Sequence, residues 1–155
     1  MKKTFLFILL CSAMTVSAQQ WITHFAYNNV TQIAMTDDLV YAISDGSLFS
    51  VNKQTEQIKT YNRESGLHSS GINCIHYDRV SDQLFIAYKT GKIDLLSKHG
   101  VKYISELYDK DMTQEKTIYN VTIHKRTAYL STAYGIQTFD LSTNRLVDSY
   151  WLRPN

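Results

Sequence analysis

The residue types that commonly carry catalysis or bind metals are scattered along the 155 residues. The sequence contains no glycine-rich phosphate loop, no His-Glu-x-x-His, no Cys-x-x-Cys and no Gly-x-Ser-x-Gly. His76 and His124 each follow an isoleucine, and we assign both to one repeated structural position rather than to a metal pair. The five histidines are His24, His68, His76, His99 and His124. We therefore predict no catalytic, cofactor-binding or metal-binding residue, no cofactor, and a protein that is not an enzyme.

Other polar residues have structural interpretations. Asp37-Asp38 and Asp45-Gly46 lack the Asp-x-Asp-x-Asp-Gly spacing of calcium loops, so we predict turn residues. Asn29-Val-Thr31 and Asn120-Val-Thr122 fit the glycosylation acceptor pattern, which we interpret as repeat identity. Most of five tyrosines in or beside the hairpins are predicted to pack and to form hydrogen bonds, and stacking on carbohydrate is the alternative for one or two of them: Tyr41, Tyr77, Tyr88, Tyr129 and Tyr134.

The first eighteen residues have the pattern of a secretory signal peptide. Lys2 and Lys3 precede an apolar run over 4–14, and small residues occupy 16–18, which predicts cleavage after Ala18. The apolar run is shorter than the roughly 20 residues that a membrane helix needs, so we predict no membrane-spanning segment in the mature chain. A lipoprotein anchored through Cys11 is the disfavoured alternative, because Leu10 rather than a small residue precedes it.

Cleavage would remove two lysines and leave 14 basic and 14 acidic residues. A neutral chain lacks the basic surface that nucleic acid requires, so no nucleic-acid partner is predicted. Cys74 would be the one cysteine left, in an apolar stretch, and we predict a buried, unreactive thiol.

Three segments of the chain resemble one another. Each consists of a β-rich run, a turn centred on glycine and a second β-rich run, and the glycines Gly46, Gly91 and Gly135 are 45 and 44 residues apart. A short apolar run precedes each hairpin and another follows it. The preceding runs are 30–35, 72–77 and 121–125, and the following runs are 57–61, 101–104 and 145–150.

Four short strands in a repeat of about 44 residues are typical of a β-propeller blade. The sequence predicts an all-β fold, an incomplete β-propeller with about three four-stranded blades at residues 28–66, 67–108 and 117–150. Residues 105–116 are predicted to be the loop that enters the third blade, with one short helical turn as the alternative. Leu84-Phe-Ile-Ala is apolar at every position, as expected for a strand covered on both sides.

Propellers close with 4 to 8 blades, so three blades leave two sheet faces open. We expect residues 19–155 to be the N-terminal part of a propeller domain in a longer protein, with the run 21–27 completing its last blade. We also expect the isolated chain to be unstable or to self-associate.

Several short motifs resemble known propeller families. The stretch Ser65-Gly66-Leu67 through Gly71-Ile72 to Ile75 resembles a signature of regulator-type propellers, which form sensor regions of hybrid two-component systems. Over about residues 20 to 150, the order and spacing of further motifs resemble the N-terminal propeller of PorZ-type proteins of the type IX secretion system of Bacteroidetes. These motifs are Trp21-x-x-His24-x-x-Tyr27, Tyr41-Ala-Ile-Ser44, Leu48-Phe49, Ser65-Gly66-Leu67 and Ile86-Ala-Tyr88-x-x-Gly91-x-Ile93-Asp94-Leu95.

The resemblance implies an exported, non-enzymatic protein in the periplasm or at the outer-membrane surface of a Gram-negative bacterium. It implies other secretion-complex proteins and surface lipopolysaccharide or glycan as partners. The alternative is the periplasmic ligand-sensing propeller of a two-component regulator. An exported enzyme on a propeller scaffold is disfavoured, because no nucleophile, acid–base pair or metal cluster can be assembled from these residues.

Overall fold

The fold consists of three four-stranded antiparallel sheets that follow one another along the chain. A computed structural model describes residues 27–151. The predicted signal peptide, its cleavage point, His24 and most of the run 21–27 lie outside the described residues. The prediction of an all-β, incomplete propeller with three four-stranded blades is confirmed.

Each blade uses four consecutive strands, and the spatial order of the strands is their order in the chain. Blade 1 contains β1 Val30–Met35, β2 Leu39–Ser44, β3 Ser47–Asn52 and β4 Ile58–Tyr61. Blade 2 contains β5 Ile72–Asp78, β6 Gln83–Tyr88, β7 Ile93–Ser97 and β8 Gly100–Ile104. Blade 3 contains β9 Ile118–His124, β10 Thr127–Thr132, β11 Gly135–Asp140 and β12 Arg145–Trp151. The loop between blades 2 and 3 carries one helical turn, α1 Glu106–Asp109.

The hairpin glycines do not all have the same role. Asp45 and Gly46 form a two-residue turn in which both residues have positive φ, 48° and 72°, the geometry that matches the twist of paired strands. We predicted Gly135 at the centre of its turn, and the structure differs. Gly135 is the first residue of β11 and lies opposite Thr132, so residues 133–134 form the turn. A φ of 136° explains the glycine there, although it does not sit at the centre of the turn.

The first strand of every blade contains a β-bulge at its second residue. Thr31, Asn73 and Tyr119 are the extra residues, because the pairing register shifts on either side of each. His76 lies three residues after the bulge in β5, whereas His124 lies five residues after the bulge in β9. The prediction that these two histidines occupy equivalent repeat positions is therefore wrong, because Val121, rather than the isoleucine before His124, is the register equivalent of Ile75.

Blade 2 is packed on both faces. Leu84, Ile86 and Tyr88 belong to an apolar cluster shared with blade 1. Phe85 and Ala87 belong to a second cluster shared with blade 3. All five side chains are at most 1% exposed, which confirms the prediction that this strand is apolar because both of its faces are covered.

The first strands of the three blades lie beside one another, and hydrogen bonds join the blades there. The Ile72 amide donates to the Gly46 carbonyl at 3.0 Å, and the Ile75 amide donates to Gln32 Oε1 at 2.9 Å. Asn73 Nδ2 donates to the Ile118 carbonyl at 2.8 Å. These bonds use the bulged region of β5 to hold blades 1, 2 and 3 in one curved stack.

No helix within residues 27–151 is long and apolar enough to cross a bilayer.

Candidate functional site

Histidines and acidic residues do not assemble into a metal site in the described part of the chain. Among residues 27–151, no group of three or more His, Cys, Asp or Glu side chains lies close enough to hold a metal ion. His76 pairs with Phe85 on the side of blade 2 that faces blade 3, whereas His124 lies at the exposed end of β9. His99 is exposed in the turn before β8.

A buried carboxylate that our sequence analysis did not single out organises one end of blade 2. Asp94 on β7 is 0% exposed and accepts three hydrogen bonds. The donors are the His68 amide at 2.9 Å, His68 Nδ1 at 2.9 Å and the Tyr88 hydroxyl at 2.6 Å. The His68 ring stacks on Tyr103 with 4.7 Å between ring centroids. Burial and the hydrogen bond to Asp94 raise the pKa of Tyr88, so this hydroxyl remains a donor.

This network ties the loop that enters blade 2 to the strands of blade 2. The equivalent position, read from the strand register, is Phe49 in blade 1 and Gln137 in blade 3. Both of Asp94's oxygens are used by these donors, and the carboxylate has no exposed surface from which to act on a substrate. The arrangement therefore supports a structural role for the His68–Asp94 pair.

A polar cleft with aromatic walls lies between blades 1 and 2, and we call it the interblade cleft. It has a volume of about 430 Å³ and is formed by strands β2, β4, β5, β6 and β7 together with the turns at one end of the two blades. Its lining is Thr36, Asp38, Leu39, Tyr41, Lys59, Tyr61, Tyr77, Asp82, Leu84, Leu96, Ser97 and Lys98. Three aromatic rings with hydroxyl groups, two lysines and two aspartates thus converge on one space.

The tyrosines of the interblade cleft are held in place by contacts with one another and with polar neighbours. The Tyr41 and Tyr61 rings lie 5.8 Å apart and are tilted by 48°. The Tyr77 hydroxyl donates to Asp82 Oδ1 at 2.7 Å, and this bond raises the pKa of Tyr77 to about 12. Burial, followed by the neighbouring Tyr61, raises the pKa of Tyr41. The hydroxyl groups of Tyr41 and Tyr77 are therefore neutral at physiological pH and can donate or accept hydrogen bonds.

The cleft combines flat apolar rings with fixed polar groups, which is the surface chemistry that binds a saccharide ring. Lys59 Nζ lies 5.1 Å from the centroid of the Tyr61 ring, and both Lys59 and Lys98 are exposed. Asp38 and Asp82 are exposed on the same rim. The two lysines and two aspartates therefore balance one another in charge on this rim.

The five tyrosines singled out from the sequence lie in four different environments. Tyr41 and Tyr77 line the interblade cleft, and Tyr88 donates to Asp94. Tyr134 is buried beneath Trp151, with 4.8 Å between the ring centroids. Tyr129 is 40% exposed on the outer face of blade 3, which is consistent with the prediction that most, rather than all, of these tyrosines pack.

The remaining predicted positions agree with their structural interpretations. Asp45 forms the β2–β3 turn and accepts a hydrogen bond from Asn29 Nδ2 at 2.7 Å, while Asp37 and Asp38 lie in the β1–β2 turn. Cys74 is 2% exposed, and burial raises the pKa of its thiol to about 12, as an unreactive cysteine requires. The exception is Asn120, which lies opposite Ser131 and is equivalent by register to Gln32 rather than to Asn29. The interpretation of the two Asn-Val-Thr motifs as repeat identity is therefore wrong.

The family of the chain follows from the match over most of its length. Residues 40–155 match the family described as the N-terminal β-propeller domain of PorZ of the type IX secretion system. The chain belongs to the PorZ N-terminal β-propeller family. No curated protein sequence matches the chain.

A solved structure of PorZ from Porphyromonas gingivalis is similar to this chain, with 29% sequence identity and a TM-score of 0.75. That PorZ is described as an essential bacterial surface component of the type IX secretion system. The similarity covers 81% of this chain and 17% of the PorZ chain, so this chain spans less than a fifth of the length of that relative.

A second similar structure is the extracellular domain of a protein assigned as the hybrid two-component system BT4673 of B. thetaiotaomicron. Its identity is 14% and its TM-score is 0.70, and the similarity covers 86% of this chain and 18% of that chain. At this identity the likeness shows a shared propeller fold.

Proposed function

We propose that this chain is the propeller part of an exported, non-enzymatic component of a type IX secretion system, which acts by binding other secretion-complex proteins and a surface glycan. The observation that carries the proposal is the family match over residues 40–155, together with 29% identity to a PorZ that is described as an essential surface component. Asp94 supports a role in binding rather than catalysis. Within the described residues it is the one fully buried carboxylate that is hydrogen-bonded to a histidine ring, and it has no exposed surface that a substrate could reach.

The secretion role is tested by deleting the gene in the bacterium that encodes it. We expect type IX cargo to accumulate in the periplasm and to disappear from the surface, and the complete gene supplied in trans to restore both. Immunoblots of fractionated cells measure the distribution. Normal surface display of cargo in the deletion strain would contradict the secretion role.

Export itself is part of the proposal, with residues 1–18 as the signal peptide and 19–155 as the beginning of the propeller domain. N-terminal sequencing of the exported protein should read Gln19-Gln20-Trp21. Retention of Met1 in the exported material would overturn this assignment.

For the glycan, we place the contact in the interblade cleft. The support is the convergence of Tyr41, Tyr61 and Tyr77 on a space of about 430 Å³, with lysines and aspartates on its rim. Hydrogen bonds from the rim would fix the orientation of the sugar.

The probe for this contact is lipopolysaccharide purified from the same bacterium, and the delipidated polysaccharide prepared from it. We expect Tyr77→Ala to weaken binding of both by about tenfold or more, since one aromatic wall and one donor are lost. Tyr119→Ala removes an exposed tyrosine outside the cleft and is the matched control. Equal binding by both variants, or no binding of either probe, would reject the glycan contact, whereas the deletion experiment would still test the secretion role.

A sensor function requires different downstream domains in the same gene. A two-component sensor should continue, in the same reading frame, through a membrane helix into a histidine kinase. Sequencing of the complete gene distinguishes the two, because a secretion component should continue into further β domains. The similarity to the extracellular domain of BT4673 shows a shared fold and carries no further support for a sensor function.

A further inference from the structure

A small pocket lies at the end of blade 1 that is remote from the β1–β2 turn, and we call it the loop pocket. The loop 62–71, which connects β4 to β5, forms it together with the β2–β3 turn. It has a volume of about 200 Å³. The buried side chains of Tyr61, Leu67 and Ile72 give it an apolar wall, and the exposed Arg63 and Ser70 line it with polar groups.

The loop pocket is preformed, because hydrogen bonds fix the shape of its loop. The Asn62 amide donates to Ser65 Oγ at 2.7 Å, and the Ser65 amide donates to Asn62 Oδ1 at 3.0 Å. Further along the loop, the amide and the ring of His68 both donate to the buried Asp94. A ligand that binds here does not have to order the loop, which removes one of the usual costs of association.

Arg63 is the one arginine without a partner within residues 27–151. Its guanidinium forms no ion pair and no hydrogen bond in that range, not even with the adjacent Glu64. The other arginines there, Arg79, Arg126 and Arg145, each pair with an acidic or hydroxyl side chain. A guanidinium presents parallel donors that match a carboxylate, so a free arginine beside an apolar pocket favours a ligand that is both apolar and anionic.

The size of the loop pocket limits what it can hold. Pockets for small molecules have volumes of about 300–1,000 Å³, whereas this one has about 200 Å³. That space fits a single apolar side chain, and a side chain seated in a pocket is a common anchor between proteins. Adjacent side chains of an extended segment point to opposite sides, so an acidic residue next to the anchor would point away from Arg63. An anchor residue that itself carries a carboxylate is the last residue of a chain.

We propose that the loop pocket binds the C-terminal residue of another polypeptide. The apolar side chain of that residue fills the pocket, and its carboxylate accepts hydrogen bonds from Arg63. Capture of a terminal carboxylate is a recurring mode of peptide recognition. The inference rests on the proposed role in binding other proteins, and it assigns one such contact to a site separate from the interblade cleft, which is formed by turns at the other end of the blade.

Saturation-transfer NMR of the complete exported protein tests the contact, with the peptide N-acetyl-Gly-Ser-Gly-Ser-Leu as the probe. We expect the leucine methyl groups to receive the strongest saturation. The C-terminal amide of this peptide should bind about tenfold more weakly, because the charged hydrogen bonds are lost. Replacement of the leucine by alanine should weaken binding by a similar factor, because less apolar surface is buried.

Three results with these peptides would overturn the proposal. They are no binding of the free acid, equal binding of acid and amide, and equal binding of an amidated peptide with an internal Leu-Asp. The last result would assign the site to an internal acidic segment instead of a chain end.

Substitution of Arg63 locates the contact. Arg63→Gln should weaken binding of the free acid by about tenfold and leave the weak binding of the amide unchanged, and Arg63→Lys should retain part of the preference for the acid. Arg79→Gln is the matched control, because Arg79 is an exposed arginine in the turn at the other end of β5. Circular dichroism checks that all three variants retain their strands.

Equal loss of binding in Arg63→Gln and Arg79→Gln, or an equal effect of Arg63→Gln on acid and amide, would overturn the assignment to the loop pocket. The deletion strain tests the secretion role separately. A protein that binds none of the peptides but is required for display of cargo would refute this inference and leave the proposed function standing.

Discussion

Asp94 is the residue on which the entrance to blade 2 depends. Its carboxylate is fully buried and accepts hydrogen bonds from the His68 amide, the His68 ring and the Tyr88 hydroxyl. Replacement by alanine would leave these donors without an acceptor inside the protein, and a buried donor without a partner costs about 1–3 kcal/mol. We therefore expect Asp94→Ala to lower the free energy of unfolding by about 3 kcal/mol, as measured by urea denaturation.

Asp111→Ala is the matched control for this substitution, because Asp111 is exposed in the loop before blade 3. We expect a change below about 0.5 kcal/mol there. Equal effects of the two substitutions would contradict the role assigned to Asp94.

The thiol of Cys74 provides a residue-scale test that depends on pH. Burial raises its pKa in the folded chain from 9.0 to about 12, so the folded state keeps a proton that the unfolded state has lost between these values. Its stabilising contribution is complete below pH 9 and declines as the pH rises towards 12. Across this interval we expect the free energy of unfolding to fall by about 1.4 kcal/mol per pH unit from this group alone.

Urea denaturation of the parent and of Cys74→Ala at several pH values measures this contribution. The tyrosines add the same slope to both proteins, so the difference between the slopes isolates Cys74. Peptide mapping after treatment with iodoacetamide at pH 8 should show Cys74 unmodified in the folded protein and modified in urea. Parallel slopes, or rapid modification of the folded protein, would contradict burial of the thiol.

At the scale of the element, two turn glycines differ in what excludes a side chain. At Gly91 both the positive φ and close neighbours disfavour one, whereas at Gly71 only the positive φ does. Both have positive φ, 83° and 73°. A Cβ on Gly91 would lie 3.0 Å from Lys116 Cβ and 3.2 Å from Leu107 Cγ, whereas a Cβ on Gly71 would meet nothing within 4 Å. Alanine at either position costs about 1 kcal/mol for the backbone, and crowding at Gly91 adds about 1–3 kcal/mol. Gly91→Ala should therefore destabilise the fold clearly more than Gly71→Ala.

Denaturation curves of the two variants, measured side by side, give this comparison. The pair is informative because the backbone cost is nearly shared and only the space around the new methyl differs. Similar losses of stability would mean that the loop 105–117 moves away at little cost, and that its contact with the β6–β7 turn does not hold blade 3 in place.

The strand pattern could be predicted from the sequence because a repeated four-stranded unit places turn glycines and short apolar runs at regular intervals along the chain. The spacing of Gly46, Gly91 and Gly135 and the apolar runs around them place all twelve strands to within a few residues. The register could not be predicted, because a bulge adds one residue that has no distinctive type: Thr31, Asn73 and Tyr119 have little in common. The equivalence of His76 and His124 was wrong for another reason: Val121 and Ile123 both pack against the same apolar cluster, so the apolar pattern alone does not tell which of them corresponds to Ile75.

The interblade cleft and the Asp94 network were beyond sequence reasoning for a related reason. His68 and Asp94 are 26 residues apart, and Tyr41 and Tyr77 lie in different blades. Only the packing of one sheet on another brings such residues together. One signal was present: a charged residue at Asp94 in an otherwise apolar strand predicts a buried polar network once that strand is known to be covered on both faces.

At the scale of the whole molecule, each blade is stabilised chiefly by its neighbours in the stack. One apolar cluster joins blades 1 and 2 and a second joins blades 2 and 3, so within residues 27–151 blade 2 is the blade that has a neighbouring blade on both faces. In such a quasi-one-dimensional stack, stability is nearly a sum of blade and interface contributions. The outer blades should therefore open locally at lower free energy than blade 2, with β6 the most protected strand.

Hydrogen–deuterium exchange measured by mass spectrometry tests this gradient on residues 19–155 produced by themselves. Amides of β2 and β10 should exchange faster than those of β6, although all three are interior strands of their sheets. Uniform protection of β2, β6 and β10 would contradict stabilisation by neighbouring blades, since each blade would then be stable by itself.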